Sequence, residues 1–378
     1  MITIEHKENC SGCAACKQAC PKACITMVPD KEGFMYPHVN MDSCVNCNKC
    51  NKVCQYDNRY SERTCPDEGY AFINGDTLIR ESSSSGGFFY AIAVKILDEG
   101  GVVFGAVFDK DFQTEITYVS EKGQLEPLLR SKYVQARVGN AYADAKKFLL
   151  EGKKVLFCGT PCQINGLCHY LGKEYENLLC VDFACHSIPS PLIWEEYLTR
   201  IKGTSDIKSI NFKDKSFGWN NYGLTVKSQE DEVLVSQGNK NNLYMKGFLA
   251  DLYSRPSCTN CVSRNFSSGS DITIADFWGI EKYHQDDMFI DNKGVSLIIP
   301  LSYKGRDLII ELKDNNILHS VNSREFELTS SHGCLARSSG YHRFRKLFWL
   351  LNTIVDVRIA IWICVEPLAA IKRIFKRI

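Results

Sequence analysis

The sequence lacks several patterns that would reveal its function at once. No stretch of 18 or more apolar residues is free of charged side chains, so the sequence predicts no transmembrane helix. It contains neither a P-loop nor a G-x-G-x-x-G fingerprint, and its 8 scattered histidines form no Ser-His-Asp or metalloprotease pattern. The formal net charge is only +1, and a near-neutral chain gives no reason to expect nucleic acid as a partner.

The composition is that of an ordinary soluble globular protein. A length of 378 residues usually means two or three domains. The shares of 44% hydrophobic and 24% charged residues are typical of globular proteins. Residues 1–8 are polar and do not resemble a signal peptide, so a cytoplasmic location is expected. Cysteine, by contrast, is abundant, with 19 in the chain. In a reducing cytosol, clustered cysteines bind metal or do redox work more often than they form disulfides.

Two cysteine runs share the spacing C-x-x-C-x-x-C-x-x-x-C. Bacterial ferredoxins use this run to bind [4Fe–4S] clusters, and the fourth cysteine ligates the other cluster. The sequence therefore predicts an α+β ferredoxin-like domain with two clusters. A structural zinc site, which needs only four cysteines, is the weaker alternative. The predicted ligands are Cys10, Cys13, Cys16 and Cys54 for the first cluster, and Cys44, Cys47, Cys50 and Cys20 for the second.

Three residues near these runs do not fit the pattern. Gln55 stands where a proline often follows the last cysteine. Cys24 is interpreted as a small buried hydrophobic residue, with cluster ligation as the alternative. Cys65 lies in a polar linker and is expected to play no part in the clusters.

After the linker, predicted strands and helices alternate. Alternation of this kind predicts an α/β domain with a mixed sheet. Strand-like runs also fill residues 207–236. The predicted strands are Tyr70–Asn74, Val102–Phe108, Glu115–Ser120, Lys154–Cys158, Leu178–Phe183, Asp271–Phe277 and Val295–Leu301. The predicted helices are Gly86–Glu99, Ala141–Glu151 and Pro191–Ile201. The predicted domains are residues 1–60, a linker at 61–69, the α/β domain at 70–335 and an amphipathic helical segment at 336–378.

A Ser/Gly stretch, residues 81–87, stands between a predicted strand and a predicted helix. Small hydroxyl groups and glycines at a helix N-terminus can hold a phosphate, because free N–H groups and the helix dipole favour an anion. The alternative is a flexible loop with a serine N-cap. The local sequence does not choose between the two.

Four further cysteines fall at positions that could converge. Cys162 and Cys185 each follow a predicted strand, and Cys258 and Cys261 form a C-x-x-C pair. Together they would hold one more [4Fe–4S] cluster. A zinc site or unrelated buried cysteines are alternatives of equal weight on the residues alone.

Seven short strings between residue 70 and about residue 305 resemble the beta-subunit family of coenzyme F(420)-reducing hydrogenases and dehydrogenases. Each string is weak alone, but the combination is specific, and an N-terminal ferredoxin module is a common addition in that family. Ser187 departs from the pattern, since a glycine often follows the histidine. The strings are Ser82–Gly87, Ser131–Ala136, Gly159–Ile164, Asp182–Pro191, Asn211–Trp219, Cys258–Asn265 and Ser270–Gly279.

The resemblance implies an α/β flavin-binding domain that holds FAD, with Cys162, Cys185, Cys258 and Cys261 as ligands of a third cluster. It leaves open whether Lys213 and Arg264 hold an anion or form surface salt bridges, and it names no catalytic residue. His186 is interpreted as a structural residue, with proton relay as the alternative. The implied flavin contacts are Ser82, Ser84, Ser85, Gly86, Gly87, Lys132, Tyr133, Gln135 and Thr160.

The implied function is that of an FAD- and iron–sulfur-dependent oxidoreductase. A flavin exchanges electrons singly or in pairs, whereas a cluster exchanges one at a time. Ferredoxin or another low-potential carrier would deliver electrons, and a small organic substrate would accept them. Some compact relatives sit among genes for surface-polysaccharide synthesis, which extends the expectation to that process. The alternatives are an F(420) oxidoreductase and a non-catalytic electron-relay subunit.

The C-terminal segment is apolar and basic together. Asp356, Arg358 and Glu366 interrupt its hydrophobic stretches, and the last seven residues include four basic ones. An interfacial helix on the inner face of an anionic membrane is one interpretation. A packed or dimer-forming helix is the favoured alternative.

Overall fold

The computed structural model describes residues 1–60, 66–202, 206–326 and 333–367, with only the backbone of residue 324. Cys65 and the four basic residues near the end of the chain lie outside these ranges. The predicted linker at 61–69 therefore has only its last residues described, and residues 68 and 69 already belong to a strand.

The N-terminal unit is small and mixes strands with helices. Its first two strands pair antiparallel, with Ile25 opposite Val39. Ala14 and Asn48 each precede one of the two helices, and both have a left-handed φ of 59°. The two cysteine runs are therefore structural repeats of each other. The elements are α1 (Ala15–Ala19), β1 (Ile25–Pro29), β2 (Met35–Val39) and α2 (Lys49–Lys52).

The rest of the chain alternates strands and helices. The strands are β3 (Glu68–Asn74), β4 (Val102–Phe108), β5 (Thr114–Val119), β6 (Ala136–Arg137), β7 (Val155–Gly159), β8 (Leu178–Phe183), β9 (Ile207–Asp214), β10 (Gly223–Ser228), β11 (Val233–Gly238), β12 (Ile272–Asp276), β13 (Ser296–Pro300) and β14 (Asn316–Asn322). The helices are α3 (Thr77–Ser82), α4 (Phe88–Asp98), α5 (Ala141–Leu150), α6 (Pro161–Leu171), α7 (Pro191–Lys202), α8 (Leu243–Leu249), α9 (Asp287–Ile290), α10 (Tyr303–Glu311), α11 (Ser323–Phe326), α12 (Gly333–Ala336), α13 (Arg345–Asn352) and α14 (Val357–Val365).

A nine-stranded mixed sheet forms the centre of this region, in the order β14-β3-β13-β12-β8-β7-β4-β5-β6. Its four central strands, β12, β8, β7 and β4, run parallel. Antiparallel strands flank them on both sides, as in the pairs β12 with β13 and β4 with β5. The mixed α/β sheet predicted from the sequence is confirmed.

Helices cover both faces of the sheet because the buried side chains of each strand alternate between the faces. On β4, Val103 packs in the same core as Ile92 of α4 and Ile309 of α10. The neighbouring Phe104 points the other way, into a core with Leu167 of α6. Each parallel strand is thus apolar on both sides.

A second, three-stranded antiparallel sheet, β11-β10-β9, lies beside four helices. Its core is rich in aromatic side chains and contains Trp194 of α7, Tyr244 of α8 and Phe348 of α13. Ile361 of α14 is fully buried in the same core. The described part of the C-terminal segment is therefore a packed helical pair. No helix in the described ranges is long and apolar enough to cross a membrane.

Most predicted elements are present within two residues of their expected bounds, and Val102–Phe108 and Leu178–Phe183 match at both ends. The prediction missed several elements, among them the edge strands β6 and β14 and the helices α3, α8 and α10. Because α3 ends at Ser82, the predicted phosphate loop begins at Ser83, two residues later than the Ser/Gly stretch at 81–87.

Candidate functional site

The carboxyl ends of the parallel strands meet at one edge of the sheet, which is where open α/β sheets bind ligands. Thr160 directly follows β7, Ala184 follows β8, and Asp276 ends β12. These residues border a cavity of about 450 Å³, which we call the large cavity. Its volume lies within the range typical of sites for small molecules and cofactors.

The large cavity brings together most of the residues predicted to contact a flavin. Those that border it are Ser84, Ser85, Gly87, Lys132, Tyr133 and Thr160.

Three other predicted flavin contacts lie outside the wall of the large cavity. Ser82 ends α3, and its hydroxyl donates to a carbonyl of the same helix. Gly86 is buried, and its N–H donates to Ser296 Oγ over 2.9 Å. The side-chain amide of Gln135 donates to the Ser11 carbonyl and so reaches the N-terminal unit.

The Ser/Gly loop is fixed by hydrogen bonds on several sides. The Ser131 N–H donates to Ser84 Oγ over 2.9 Å. The Ser85 hydroxyl donates to the Val295 carbonyl over 2.7 Å, and Lys215 Nζ donates to the Ser85 carbonyl over 2.7 Å. Gly87 then leads into α4 with a φ of 90°, a conformation that favours glycine. The loop is therefore an ordered part of the cavity wall.

Two lysines border the large cavity in different environments. Lys132 Nζ donates to the Leu129 carbonyl over 2.7 Å, and burial lowers the pKa of Lys132 to about 7. The side chain of Lys213 is 3% exposed; its Nζ lies 2.6 Å from Asp276 Oδ2 and 3.7 Å from the centre of the Tyr222 ring. Lys213 is thus a buried cation of the cavity wall, and the salt bridge allowed from the sequence is present but buried rather than at the surface.

Aromatic rings complete the wall near Lys213. Trp278 stacks on Trp219, with ring centres 4.4 Å apart. The Trp219 indole N–H donates to the second carboxylate oxygen of Asp276 over 3.1 Å. This carboxylate is therefore fixed from both sides, and the flat apolar surface beside it suits a planar ring system.

The cysteines of the two N-terminal runs surround two separate cavities. The first thiol cavity is lined by Cys10, Cys13, Cys16 and Cys54. The second thiol cavity is lined by Cys20, Cys44, Cys47 and Cys50, together with Cys24. The fourth cysteine of each run lies at the cavity of the other run, because α1 separates Cys16 from Cys20 and directs them to different sides.

Cys24 is buried, with 5% of its surface exposed. Its Sγ lies 3.3 Å from Cys20 Sγ, so a fifth thiol borders the second thiol cavity.

Arg264, whose role the sequence left open together with that of Lys213, borders a further cavity and donates to Ser338 Oγ.

That further cavity, the third thiol cavity, brings together the four cysteines of the larger region. They are Cys162, Cys185, Cys258 and Cys261. Sequence reasoning missed a fifth cysteine in the same wall, Cys334 of α12. No spacing motif connects Cys334 to the others, so only the folded chain reveals its position.

The thiols of these cavities are in surroundings that suit metal-bound thiolates. The Ile2 N–H donates to Cys50 Sγ over 3.2 Å, and the Ile188 N–H donates to Cys258 Sγ over 3.3 Å. Such bonds stabilise the negative sulfur. Burial raises the pKa of Cys162 to about 12. A thiol of this kind ionises when a metal takes the place of its proton.

The arrangement of the thiols favours clusters over single ions. Within the described ranges, no three His, Cys, Asp or Glu side chains converge closely enough to hold one metal ion. A tetrahedral zinc site would bring four sulfurs to about 2.3 Å from a single point. The cysteines instead stand around the walls of small cavities, farther apart than the ligands of a single ion.

Neighbouring cavities share wall residues. Ser11 and Tyr56 border both the first and the third thiol cavities. Cys185 and His186 border both the third thiol cavity and the large cavity. The second thiol cavity adjoins the first through the single turn of α1. The four cavities therefore form a continuous series from the N-terminal unit to the sheet edge.

Gln55, which replaces the expected proline, connects two of these cavities. It is 1% exposed, and its amide donates to Ser11 Oγ and to the Cys162 carbonyl, each over 3.0 Å. Its oxygen accepts from Ser263 Oγ over 2.9 Å. A proline could make none of these side-chain bonds, so this departure holds the N-terminal unit against the larger region.

The fold and the series of thiol cavities define an iron–sulfur protein of the electron-transfer and oxidoreductase class. Residues 9–58 match the family model described as 4Fe-4S dicluster domain. Residues 152–325 match the family model for the C-terminal part of the coenzyme F(420) hydrogenase/dehydrogenase beta subunit. The two matches confirm the resemblance predicted from the sequence: the chain is an iron–sulfur protein related to those beta subunits.

One solved structure similar to this chain comes from the F(420)-reducing [NiFe] hydrogenase complex of Methanosarcina barkeri, studied by xenon derivatization. The two chains are 14% identical, with a TM-score of 0.45 over 71% of this chain and 84% of the other. No curated protein matches the sequence.

Proposed function

We propose that the chain is an iron–sulfur flavoprotein oxidoreductase that passes electrons between a one-electron carrier and an organic substrate. The observation that carries this proposal is the series of four neighbouring cavities, in which the third thiol cavity shares wall residues with both the first thiol cavity and the large cavity. Three of them are lined by four or more cysteines, and the fourth has the size and lining of a cofactor site.

The three thiol cavities would each hold a [4Fe–4S] cluster. The first would take Cys10, Cys13, Cys16 and Cys54; the second Cys20, Cys44, Cys47 and Cys50; and the third Cys162, Cys185, Cys258 and Cys261. The donor set supports this proposal because iron–sulfur clusters are held by four cysteine thiolates. Cys24 and Cys334 are proposed to stay outside the ligand sets.

The large cavity would hold FAD, which supplies two-electron chemistry towards an organic molecule and one-electron chemistry towards a cluster. The Ser/Gly loop and Lys132 would bind its phosphates. The aromatic wall and the Lys213 cation would orient the ring system and an anionic substrate group. A role in surface-polysaccharide synthesis stays a prediction from the resemblance.

The test of this assignment is anaerobic quantification of iron and flavin in the purified protein. About twelve irons and one FAD per chain are expected, since each of the three clusters carries four irons. About eight irons would remove the third cluster, and the absence of any flavin would remove the oxidoreductase chemistry proposed for the large cavity.

The matched family description favours a second candidate, an oxidoreductase that acts on coenzyme F(420) itself. The two candidates differ in what accepts electrons at the large cavity. Purified protein reduced with ferredoxin is mixed with F(420), and its absorbance is followed. Turnover supports the second candidate, whereas flavin reduction without turnover of any small molecule supports an electron-relay subunit.

The crossed arrangement of the N-terminal cysteines gives a specific prediction. Cys54→Ser is expected to remove about four irons, because serine is a poor replacement for a soft thiolate ligand. Its electron paramagnetic resonance spectrum after reduction should match that of Cys10→Ser, because Cys10 lines the same cavity as Cys54. Cys44 lies only ten residues before Cys54 in the sequence, but Cys44→Ser should lose the signal of the second cluster instead. If the Cys54 and Cys44 variants lose the same signal, the ligation is not crossed.

The rim of the second thiol cavity is the proposed entry point for electrons. Cys47 is exposed, and the exposed Lys22 and Lys49 border the same cavity. Val45 is 55% exposed beside them. A basic rim around an apolar residue suits an acidic carrier protein, because complementary charge speeds association.

Reversing both lysine charges should slow this entry. For the double variant Lys22→Glu with Lys49→Glu, reduction by an acidic ferredoxin is expected to slow about tenfold at low ionic strength. Added salt should shrink the difference, because it screens exposed charges. Lys110→Glu with Lys313→Glu makes the same change in net charge at exposed sites elsewhere. Equal rates for the two double variants would place the entry point elsewhere.

A further inference from the structure

Arg255 is a fully buried arginine at the junction of the N-terminal unit and the larger region. It is 0% exposed and directly precedes the turn that carries Cys258. Its Nε donates to the Cys10 carbonyl over 2.8 Å, and one terminal nitrogen donates to the Met35 carbonyl over 2.9 Å. The other terminal nitrogen donates to Gln135 Oε1 over 3.3 Å. The side chain thus joins both parts of the chain.

All of these acceptors are neutral. Among the described residues, no carboxylate lies within 4.0 Å of the Arg255 guanidinium. The rings of Phe34 and Tyr36 flank it, with centres 5.3 and 4.5 Å away, but they carry no net charge. Arginine stays protonated in proteins, and a buried charge without a counter-charge is strongly destabilising. The folded protein therefore needs an anion near this guanidinium.

The thiols are the groups that can supply this anion. One terminal nitrogen of Arg255 lies 3.8 Å from Cys10 Sγ in the wall of the first thiol cavity. The backbone of Arg255 lies against the third thiol cavity: its N–H donates to the Ile188 carbonyl over 2.7 Å, and its carbonyl accepts from the Cys258 N–H over 3.0 Å. Ile188 and Cys258 both line that cavity. Arg255 is therefore positioned between the first and the third thiol cavities.

We propose that Arg255 is the shared counter-charge of the clusters in the first and third thiol cavities, and that it raises their reduction potentials. The proposal rests on the cluster assignment given under the proposed function. A cluster becomes more negative by one charge on reduction, so a fixed buried cation stabilises the reduced form. Arg255 is a positioning residue in this scheme, since it acts through the clusters.

The Arg255 charge would also favour electron transfer from the second thiol cavity towards the large cavity. The cations near the second thiol cavity, Lys22 and Lys49, are exposed, and water and salt weaken their effect. Arg255 is buried, and its effect is therefore larger. Electrons that enter at the second cavity would find the first and third clusters easier to reduce, and would move inwards to the large cavity.

The test compares Arg255→Gln and Arg255→Lys with the unchanged protein in anaerobic redox titrations followed by electron paramagnetic resonance. The signals are assigned with the Cys54→Ser, Cys44→Ser and Cys162→Ser variants. Arg255→Gln removes the charge and should shift the first and third clusters to more negative potentials, while the second stays unchanged. Arg255→Lys keeps the charge, so the potentials of both clusters should stay close to those of the unchanged protein.

The double variant Arg345→Gln with Glu32→Gln is the matched control. Arg345 is also buried beside the N-terminal unit, but it pairs with the Glu32 carboxylate and donates to the Leu252 carbonyl. Replacing both partners removes a buried arginine without changing the net charge. The double variant is therefore expected to lower stability without moving any cluster potential.

Each remaining outcome decides the question. Unchanged potentials in Arg255→Gln, or an equal shift of all three clusters, would overturn the proposal. If the Gln variant loses iron, the Lys variant decides: retention of about twelve irons supports the charge requirement, and loss of the same cluster contradicts it. If the unchanged protein itself has no cluster in the first cavity, the proposed function fails, and not this inference alone.

Discussion

Replacing Cys162 or Cys258 with serine is expected to remove about four of about twelve irons per chain, because each residue is one of four proposed thiolate ligands in the third thiol cavity. The two residues lie on different elements, Cys162 at the start of α6 and Cys258 in the turn after Arg255. Both variants should therefore lose the same cluster. Electrons from ferredoxin should then reduce the N-terminal clusters but reach the flavin orders of magnitude more slowly.

The measurement combines iron quantification with stopped-flow absorbance of the flavin after mixing with reduced ferredoxin. Two control cysteines separate ligation from general damage. Cys168→Ser alters the same helix as Cys162, but its thiol contacts the Gly269 carbonyl at 3.8 Å. Cys334→Ser alters a thiol that borders the third cavity itself. Both controls should keep about twelve irons. A Cys162 variant with unchanged iron would refute the third cluster.

The convergence of Cys162 and Cys185 could be expected from the sequence for a physical reason. Each follows a buried apolar strand, and parallel neighbours place their carboxyl ends at the same edge of a sheet. The crossed arrangement of Cys20 and Cys54 follows equally from spacing, because a single helical turn separates the third and fourth cysteines of a run. Local sequence patterns were sufficient to predict these cysteine positions, because neighbouring parallel strands or a single helical turn fix where the thiols lie.

The features that the sequence could not reveal depend on contacts between distant segments. Strand β14 buries only Val321 well, so it has no apolar run, and pairing with β3 alone makes it a strand. Gln135 lies in a string that the resemblance connects with the flavin, yet its side chain faces Arg255. Arg255 itself is an ordinary arginine in the sequence. Its lack of a carboxylate partner appears only when segments 245 residues apart meet.

Lys132→Glu is expected to weaken FAD binding about 100-fold, because it replaces a cation at the proposed phosphate site with an anion, a change of about 3 kcal/mol. Lys132 borders the large cavity next to the Ser/Gly loop. The measurement is a fluorescence titration of the flavin-free protein with FAD. Lys110→Glu, at an exposed position just after β4, makes the same change in net charge and should leave the affinity unaltered.

The pH dependence of this affinity identifies the role of the Lys132 amine. Burial lowers the pKa of Lys132 to about 7 in the chain without ligand. A bound diphosphate favours the protonated amine and raises that pKa again, so binding takes up a proton above pH 7. The affinity for FAD should therefore fall about tenfold from pH 6 to pH 8.

Lys132→Met removes the titrating group and should bind FAD with a nearly constant affinity across the same range, close to that of the unchanged protein at high pH. A merely structural lysine would lower the affinity of the Met variant without flattening its pH profile. If the unchanged protein binds FAD equally well at pH 6 and pH 8, the phosphates do not lie at Lys132. The Ser/Gly loop would then have to bind them without this amine.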